Sequence, residues 1–155
     1  MKRKLKYALL AGALLLLVVI AMWPYIHYKL IAMRLASAIN ENKGGLAHAS
    51  TVDLAIGPYD PPRTVLDVLW EFATSEGKLP NERTVASSVL LLMASNQWSL
   101  QTGSTYSGDD WEKAFQDLLQ RHSASEANSS PAARELLTEL KKMKEKDGEA
   151  KGDNP

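Results

Sequence analysis

The longest apolar run of the chain lies near its N-terminus, over residues 7–26. It contains no charged side chain, and its 20 residues match the roughly 20 that a helix needs to cross about 30 Å of hydrocarbon. Trp23, Tyr25 and Tyr28 stand at its far end, where aromatic rings typically lie among lipid headgroups. The pattern predicts a transmembrane helix over residues 7–26, with Pro24 at the membrane rim, where water replaces a lost backbone hydrogen bond.

The segment that precedes this run, residues 1–6, carries four cations: Lys2, Arg3, Lys4 and Lys6. The positive-inside rule keeps such a segment in the cytoplasm and sends the following chain across the membrane. A cleaved signal peptide is the alternative, and it needs small residues directly after its apolar core. Bulky Trp23 and Pro24 stand there instead, and the first small-x-small triplet after the apolar run comes at residues 36–38. We therefore predict an uncleaved signal-anchor, with a secreted helical protein as the alternative.

Apolar residues continue at helical spacing over residues 27–43, at Leu30, Ile31, Leu35, Ala38 and Ile39. The pattern stops at Gly44 and Gly45, because glycine accepts the left-handed conformation that ends helices. This spacing predicts a juxtamembrane amphipathic helix. Its apolar face either packs as in any such helix or binds a neighbouring membrane protein, and in the second case Leu30, Leu35 and Ile39 are the candidate partner-binding residues.

Residues 44–60 are rich in glycine, proline and small side chains, which predicts a linker or an irregular arm. Within them Val52, Leu54 and Ile56 alternate with Thr51, Asp53 and Ala55, which is the periodicity of a strand. No second run of this kind is present to pair with it. Two interpretations remain open: an extended arm packed on the domain, or a strand added to the edge of a partner's sheet, with Val52, Leu54 and Ile56 as candidate partner-binding residues.

Four amphipathic helical segments follow over residues 61–146, and they predict a small helical domain. The fold class that this implies is all-α: one N-terminal transmembrane helix and a four-helix extracytoplasmic domain. The predicted helix caps are Asp60, Asn81, Ser107 and Ser130.

The apolar faces of these segments predict which side chains form the core. The second segment is apolar on most of its circumference between Val89 and Met93, which favours a central position in the bundle. The predicted core consists of Leu66, Leu69, Phe72, Val89, Leu92, Phe115, Leu118 and Leu136. Beyond the last segment, the polar residues 147–155 are predicted to be disordered.

The charge of the chain is balanced overall but unevenly distributed. The first 34 residues contain six Lys or Arg and no acid, whereas the 12 basic and 18 acidic residues from Ile39 onward leave a net charge of −6. A net-acidic portion of this kind is a poor match for nucleic acid, which needs clustered cations. The absence of cysteine excludes disulfides, lipoprotein acylation, a thiol nucleophile and a cysteine-ligated zinc site.

Residues that could carry chemistry are scattered along the chain. His27, His48 and His122 lie in three separate contexts, and none has a second histidine or an acid at a metal-ligand spacing. His122 lies on an apolar stripe near a helix end, which favours a packing or capping role. No nucleophile elbow, phosphate-binding glycine loop or Ser-x-x-Lys pair is present.

Two carboxylate pairs are candidates for glycan cleavage, Asp109 with Asp110 and Glu71 with Glu76. The first pair opens a helix, where acids favour the helix dipole. The second pair shares no helix face. We therefore predict no catalytic, cofactor or metal site.

These patterns lead to an expectation about function. We expect a single-pass protein of the inner membrane, with a cytoplasmic N-terminus and a periplasmic C-terminal domain, that binds another envelope protein as a non-catalytic accessory or scaffold subunit. A small membrane-tethered hydrolase acting on envelope polymers is the alternative. A homo-oligomer stays open, because Ala8 and Gly12 have the small-xxx-small spacing that lets two membrane helices approach.

Overall fold

A computed structural model describes residues 2–41, 55–95, 104–126 and 129–152. Within these ranges the chain forms five α-helices and no strand, which confirms the all-α prediction. The helices are α1 (Lys2–Glu41), α2 (Pro62–Thr74), α3 (Pro80–Ala94), α4 (Gly108–Ala124) and α5 (Pro131–Gly152). The chain divides into two compact units, Met1–Leu30 and Ile31–Pro155.

The first unit consists of the N-terminal part of α1. Its side chains from Gly12 to Ile26 are exposed, and leucine, valine and isoleucine fill the stretch from Leu14 to Ile20. In the described part of the chain, α1 is the one helix long and apolar enough to cross a membrane. Pro24 lies inside α1 and does not end it, and the Trp23 ring stacks on His27 with 6.2 Å between ring centroids.

The second unit contains the C-terminal part of α1 and the other four helices. Ile31, Leu35 and Ile39 follow one another at intervals of four residues and are completely buried in this unit. The helical conformation predicted for this stretch continues to Glu41, and residues 42–50, with the predicted glycine terminator, lie outside the described residues. The juxtamembrane stripe is therefore part of the core of the helical unit.

Helix α2 has the most extensive packing in the second unit, against α3, α4 and α5. Burial along α2 follows the helical period, so that Val65, Leu66, Leu69 and Phe72 all face the core. The prediction of a central position for α3 is wrong, because α3 packs only on α2 and α5 among the principal helix contacts. Leu90 of α3 is fully buried, whereas Leu92, a predicted core residue, is half-buried at the side of the helix. The other seven predicted core residues are buried.

The first residues of the helices show which of the predicted N-cap residues form cap hydrogen bonds. Ser107 caps α4 as predicted: its Oγ accepts from the Asp110 N–H at 3.2 Å, and the Asp110 Oδ2 accepts from the Ser107 N–H at 2.8 Å. Ser130 precedes α5, and its Oγ accepts from the Ala133 N–H at 3.3 Å. Pro61, not Asp60, is the N-cap of α2 and makes no side-chain cap bond.

The start of α3 also differs from the prediction. The N-cap is Leu79 rather than Asn81, and Glu82 Oε2 accepts from the Leu79 N–H at 2.9 Å. The other carboxylate oxygen of Glu82 accepts from the Asn40 side chain of α1 at 3.1 Å. The residue that stabilises this helix start is therefore an acid inside the first turn, and it also contacts α1.

Two predicted irregular segments also differ from expectation. The backbone at Ala55 is helical and Ile56 lies at a bend, so the described end of the alternating run is not a strand. At the other end of the chain, α5 continues to Gly152, beyond the predicted boundary at residue 146, and residues 153–155 lie outside the described part.

Candidate partner-binding surface

A tight turn over Gly57–Asp60 precedes α2. The Asp60 N–H donates to the Gly57 carbonyl at 3.0 Å, and the Gly57 N–H donates to Asp60 Oδ2 at 2.6 Å. These two bonds close the four residues into a β-turn with a side-chain bond across it. The chain direction before α2 is therefore fixed by Asp60, which acts on the turn instead of capping the helix.

The Asp60 carboxylate is held by α1. Arg34 Nη2 donates to both carboxylate oxygens, at 2.7 and 2.6 Å. Asp60 is only 4% exposed, and a carboxylate at such a position is stable only when it is paired and hydrogen-bonded. Both its oxygens are engaged, so this carboxylate is placed to hold structure.

Gly57 lies where these groups approach the backbone closely. A Cβ atom at this position would lie 2.8 Å from Arg34 Nη1 and 3.1 Å from Asp60 Oδ2. The first distance is shorter than real Cβ contacts, so a larger residue would require the guanidinium end of Arg34 to shift. The glycine therefore allows the ion pair to lie directly against the backbone.

A second contact reaches the turn from the loop before α4. The backbone N–H and the hydroxyl of Thr105 both donate to the Pro58 carbonyl, at 2.9 and 2.8 Å. The turn is thus bonded on one side to α1 and on the other to residue 105, which is 47 positions away in sequence. We call the four residues Gly57–Asp60, with their contacts to Arg34 and Thr105, the Tyr59 turn.

Tyr59 stands at the third position of this turn and is 74% exposed, the most exposed large apolar side chain described in the chain. Pro58 on one side of Tyr59 is bonded to Thr105, and Asp60 on the other side is bonded to Arg34. The backbone that carries the tyrosine ring is therefore held in place. An exposed aromatic on an ordered turn is the kind of side chain that protein interfaces use as an anchor.

The sequence-predicted partner-binding residues lie elsewhere. Leu35, Ile39 and Ile56 are buried in the helical unit, so their apolar surface is already covered by this chain. Leu30, in the first unit, is 46% exposed, while Val52 and Leu54 lie outside the described residues. The two sequence regions singled out earlier, residues 27–43 and 44–60, meet through Arg34 and Asp60, and Thr105 also bonds the second region; sequence reasoning missed these contacts. The available signal was the string of turn formers around Tyr59, Gly57-Pro58-Tyr59-Asp60-Pro61.

A cluster of ionisable groups lies between α2 and α4. His122 stacks on Trp70 with 4.1 Å between ring centroids. Arg121 Nη2 bonds Asp67 at 2.7 Å and Arg121 Nε bonds Asp117 at 3.0 Å. Burial lowers the pKa of His122, the neighbouring Arg121 lowers it further, and Asp67 acts in the opposite direction. These contacts give His122 the packing role that its place on the stripe indicated.

Of the remaining candidates for chemistry, Asp110 serves in the cap of α4. Hydrogen bonds from the Ser107 side chain and backbone hold the pKa of Asp110 below its usual value, because they stabilise the charged carboxylate at the start of α4. No group of three or more histidine, aspartate or glutamate side chains that could hold a metal ion is found in the described ranges.

Comparison with protein-family models, with curated proteins and with solved structures found no match to this chain.

Proposed function

We propose that this protein is a single-pass membrane protein whose helical unit lies outside the cytoplasm and binds another envelope protein without catalysing a reaction. In a bacterial cell this corresponds to the inner membrane and the periplasm. The basic residues before the apolar stretch of α1 support a cytoplasmic N-terminus. The exposed leucines and valines of that stretch support lipid as its surroundings.

The observation that carries the binding role is the display of Tyr59. A loop that is already ordered loses little conformational entropy when a partner binds, so more of the contact energy appears as affinity. The Tyr59 turn has this property, because Arg34 and Thr105 fix it from both sides. Tyrosine is also among the residues most enriched at interface positions where truncation to alanine is costly.

A photo-crosslinking experiment tests the binding role. We would place p-benzoylphenylalanine at Tyr59 of the full-length chain in its native membrane, and at Gln120 as the matched control. Gln120 is exposed on α4 and makes none of the bonds of the turn. We expect a discrete crosslinked protein from position 59 and none from position 120. Equal products from both positions, or none from either, would contradict the proposal.

A second pair of variants separates the ring from the hydroxyl. Tyr59→Ala removes the whole anchor and should lower the crosslinked or co-purified partner about tenfold or more, because interface aromatics often contribute 2 kcal/mol or more. Tyr59→Phe keeps the ring and should retain most binding. If Tyr59→Ala retains full partner binding, the turn is not the binding site.

The orientation is tested by single cysteines, since the chain has no cysteine of its own. Two single-cysteine variants are used, Glu145→Cys on α5 and Lys4→Cys in the basic segment. Intact cells with a permeable outer envelope are treated with a maleimide that does not cross the inner membrane. We expect labelling at position 145 and not at position 4. The reverse pattern would show that the helical unit is cytoplasmic.

A further inference from the structure

A groove of about 430 Å³ runs between α3 and α5. Ala73 and Leu136 form its floor, and both are buried. One wall is a row of α3 side chains spaced one helical turn apart: Pro80, Thr84, Ser88 and Leu91. None of the residues of the Tyr59 turn lies in this groove, so the two surfaces are distinct.

Thr84 and Ser88 in the α3 wall have small side chains, and their hydroxyl groups already donate hydrogen bonds within the helix. The Thr84 hydroxyl donates to the Pro80 carbonyl and the Ser88 hydroxyl to the Thr84 carbonyl, each at 2.9 Å. A partner that covers these side chains therefore leaves no hydroxyl donor without an acceptor. The small volume of these residues also lets the backbone of a partner helix come close.

The two walls carry opposite charges. Glu135 and Glu139 lie four residues apart on the exposed side of α5, and Arg83 lies on the α3 side. None of the three is paired in the described part of the chain. By contrast, Asp60, Asp67, Glu112, Asp117 and Glu126 are each held in an ion pair. The groove thus presents two free carboxylates along one edge and a guanidinium along the other.

We infer that this groove binds an amphipathic helix of another protein, with a seam of small apolar residues and two Lys or Arg, four residues apart, facing α5. The distance along α3 from Pro80 to Leu91 is about 16 Å at 1.5 Å per residue, which is the length of about three helical turns. Glu135 and Glu139 are four residues apart. Two basic side chains at the same spacing on a partner helix, parallel or antiparallel to α5, can therefore contact both carboxylates. Docking a helix into a groove between helices is an established mode of peptide recognition.

The net charge of −6 from Ile39 onward also favours a basic over an acidic occupant through long-range attraction. The inference concerns a surface other than the Tyr59 turn and does not depend on it. A result at one surface therefore leaves the other to be judged by its own experiment.

Two synthetic probes test the inference with the full-length chain in detergent micelles. Both are 16-residue helices with an alanine and leucine seam, one with lysines and one with glutamates at the two flanking positions four residues apart. We expect saturable binding of the lysine probe by fluorescence anisotropy, about tenfold or more tighter than the glutamate probe. Equal binding of both probes, or binding of neither, overturns the inference.

Charge reversal and steric blocking locate the binding. Glu135→Lys/Glu139→Lys should invert the preference in favour of the glutamate probe, whereas Glu145→Lys, an exposed site of α5 outside the groove, should not invert it. Ser88→Trp should abolish binding of the lysine probe by filling the groove. Binding that survives Ser88→Trp shows general attraction to an acidic surface and overturns the inference.

Two further measurements keep these results interpretable. Thermal unfolding followed by circular dichroism should be nearly unchanged in all the variants, because positions 88, 135, 139 and 145 are exposed. Light scattering shows whether a second copy is the occupant. A dimer that dissociates in Ser88→Trp, combined with no probe binding, replaces the inferred occupant with this chain itself.

Discussion

Helix α1 contains two apolar stretches whose surroundings are opposite. Between Leu14 and Ile20 every side chain is apolar, and all are 45% or more exposed. Between Ile31 and Ile39 the fully buried large residues recur at every fourth position, with Arg34 and Ser37 between them. A helix that is apolar all round needs an apolar solvent, whereas a single stripe needs a protein core on one side only. The periodicity, rather than the amount of apolar surface, therefore separates a stretch apolar enough to cross a membrane from a stripe that packs on one side.

The largest expected effect comes from placing a charge in the buried stretch. Leu35→Asp puts an unpaired carboxylate at a position with 0% exposure, at a cost of several kcal/mol, comparable to the roughly 5–15 kcal/mol that stabilises a whole domain. The helical unit should unfold, as measured by circular dichroism and by new protease cleavage sites. Met33→Asp is the matched control, since Met33 is 61% exposed two residues away. A cooperative melt at the original temperature for Leu35→Asp would remove this stretch from the core.

The next effect is expected in the exposed stretch. Leu16→Arg should cost about 2.5–3.5 kcal/mol of membrane insertion, because a cation at the centre of a transmembrane helix is poorly solvated. The readout is the fraction of the chain that resists alkaline extraction from membranes. Leu16→Ala, which keeps the stretch apolar, is the control. Unchanged extraction of Leu16→Arg would argue that lipid does not surround this stretch.

A smaller effect tests whether polar contacts also hold the second stretch. Arg34→Met removes the cation paired with the buried Asp60 carboxylate and should lower the unfolding free energy by about 1–3 kcal/mol. Arg63→Met is the control: its pair with Asp117 is long, at 3.6 Å, and exposed, so about 0.5 kcal/mol or less is expected. Denaturant titration measures both. Equal losses in the two variants would mean that Arg34 contributes no more than a surface charge.

The smallest effect is a pH dependence confined to the helical unit. The folded-state pKa of His122 lies below its usual value of 6.5, so the unfolded chain binds a proton more readily. This contribution to stability is fully present above the unfolded pKa and is lost as the pH falls through about 6.5 toward the folded pKa. The melting temperature should therefore fall between pH 7 and pH 5, and less so in His122→Phe, which keeps a ring against Trp70. Membrane retention should be unaffected, since the apolar stretch carries no group that titrates there. A pH response that is identical in His122→Phe would assign it to other groups.

The sequence was sufficient wherever a local pattern decides the structure. The Ser107 cap needs only residues within one turn, and the stripe of Trp111, Phe115 and Leu118 needs only the helical period, so both were predicted and confirmed. The stripe at Ile31, Leu35 and Ile39 was predicted as a helix face, but a core face and a partner-binding face have the same pattern. Which of the two it is depends on the other helices.

The Tyr59 turn could not be predicted for a related reason. Asp60 has the side chain of a helix cap, and it follows the residues of an ordinary turn. Its actual role is decided by Arg34, 26 positions earlier, and the turn also depends on Thr105. Contacts at such separations leave no periodic trace in the sequence. These contacts fix the turn that presents Tyr59, so the exposed position of the ring could be recognised only in the structure.

The long separations within the Tyr59 turn also determine when this surface exists. Closing loops of this length is entropically costly, so the bonds from Arg34 and Thr105 form only once the helices have packed. In an unfolded or partly folded chain, Gly57–Asp60 is an ordinary flexible segment, and Tyr59 has no fixed direction. A partner that binds this turn therefore distinguishes folded from unfolded chains and stabilises the folded form by an amount that grows with the logarithm of its concentration above its Kd. Recognition of the turn thus doubles as a check that the helical unit has assembled.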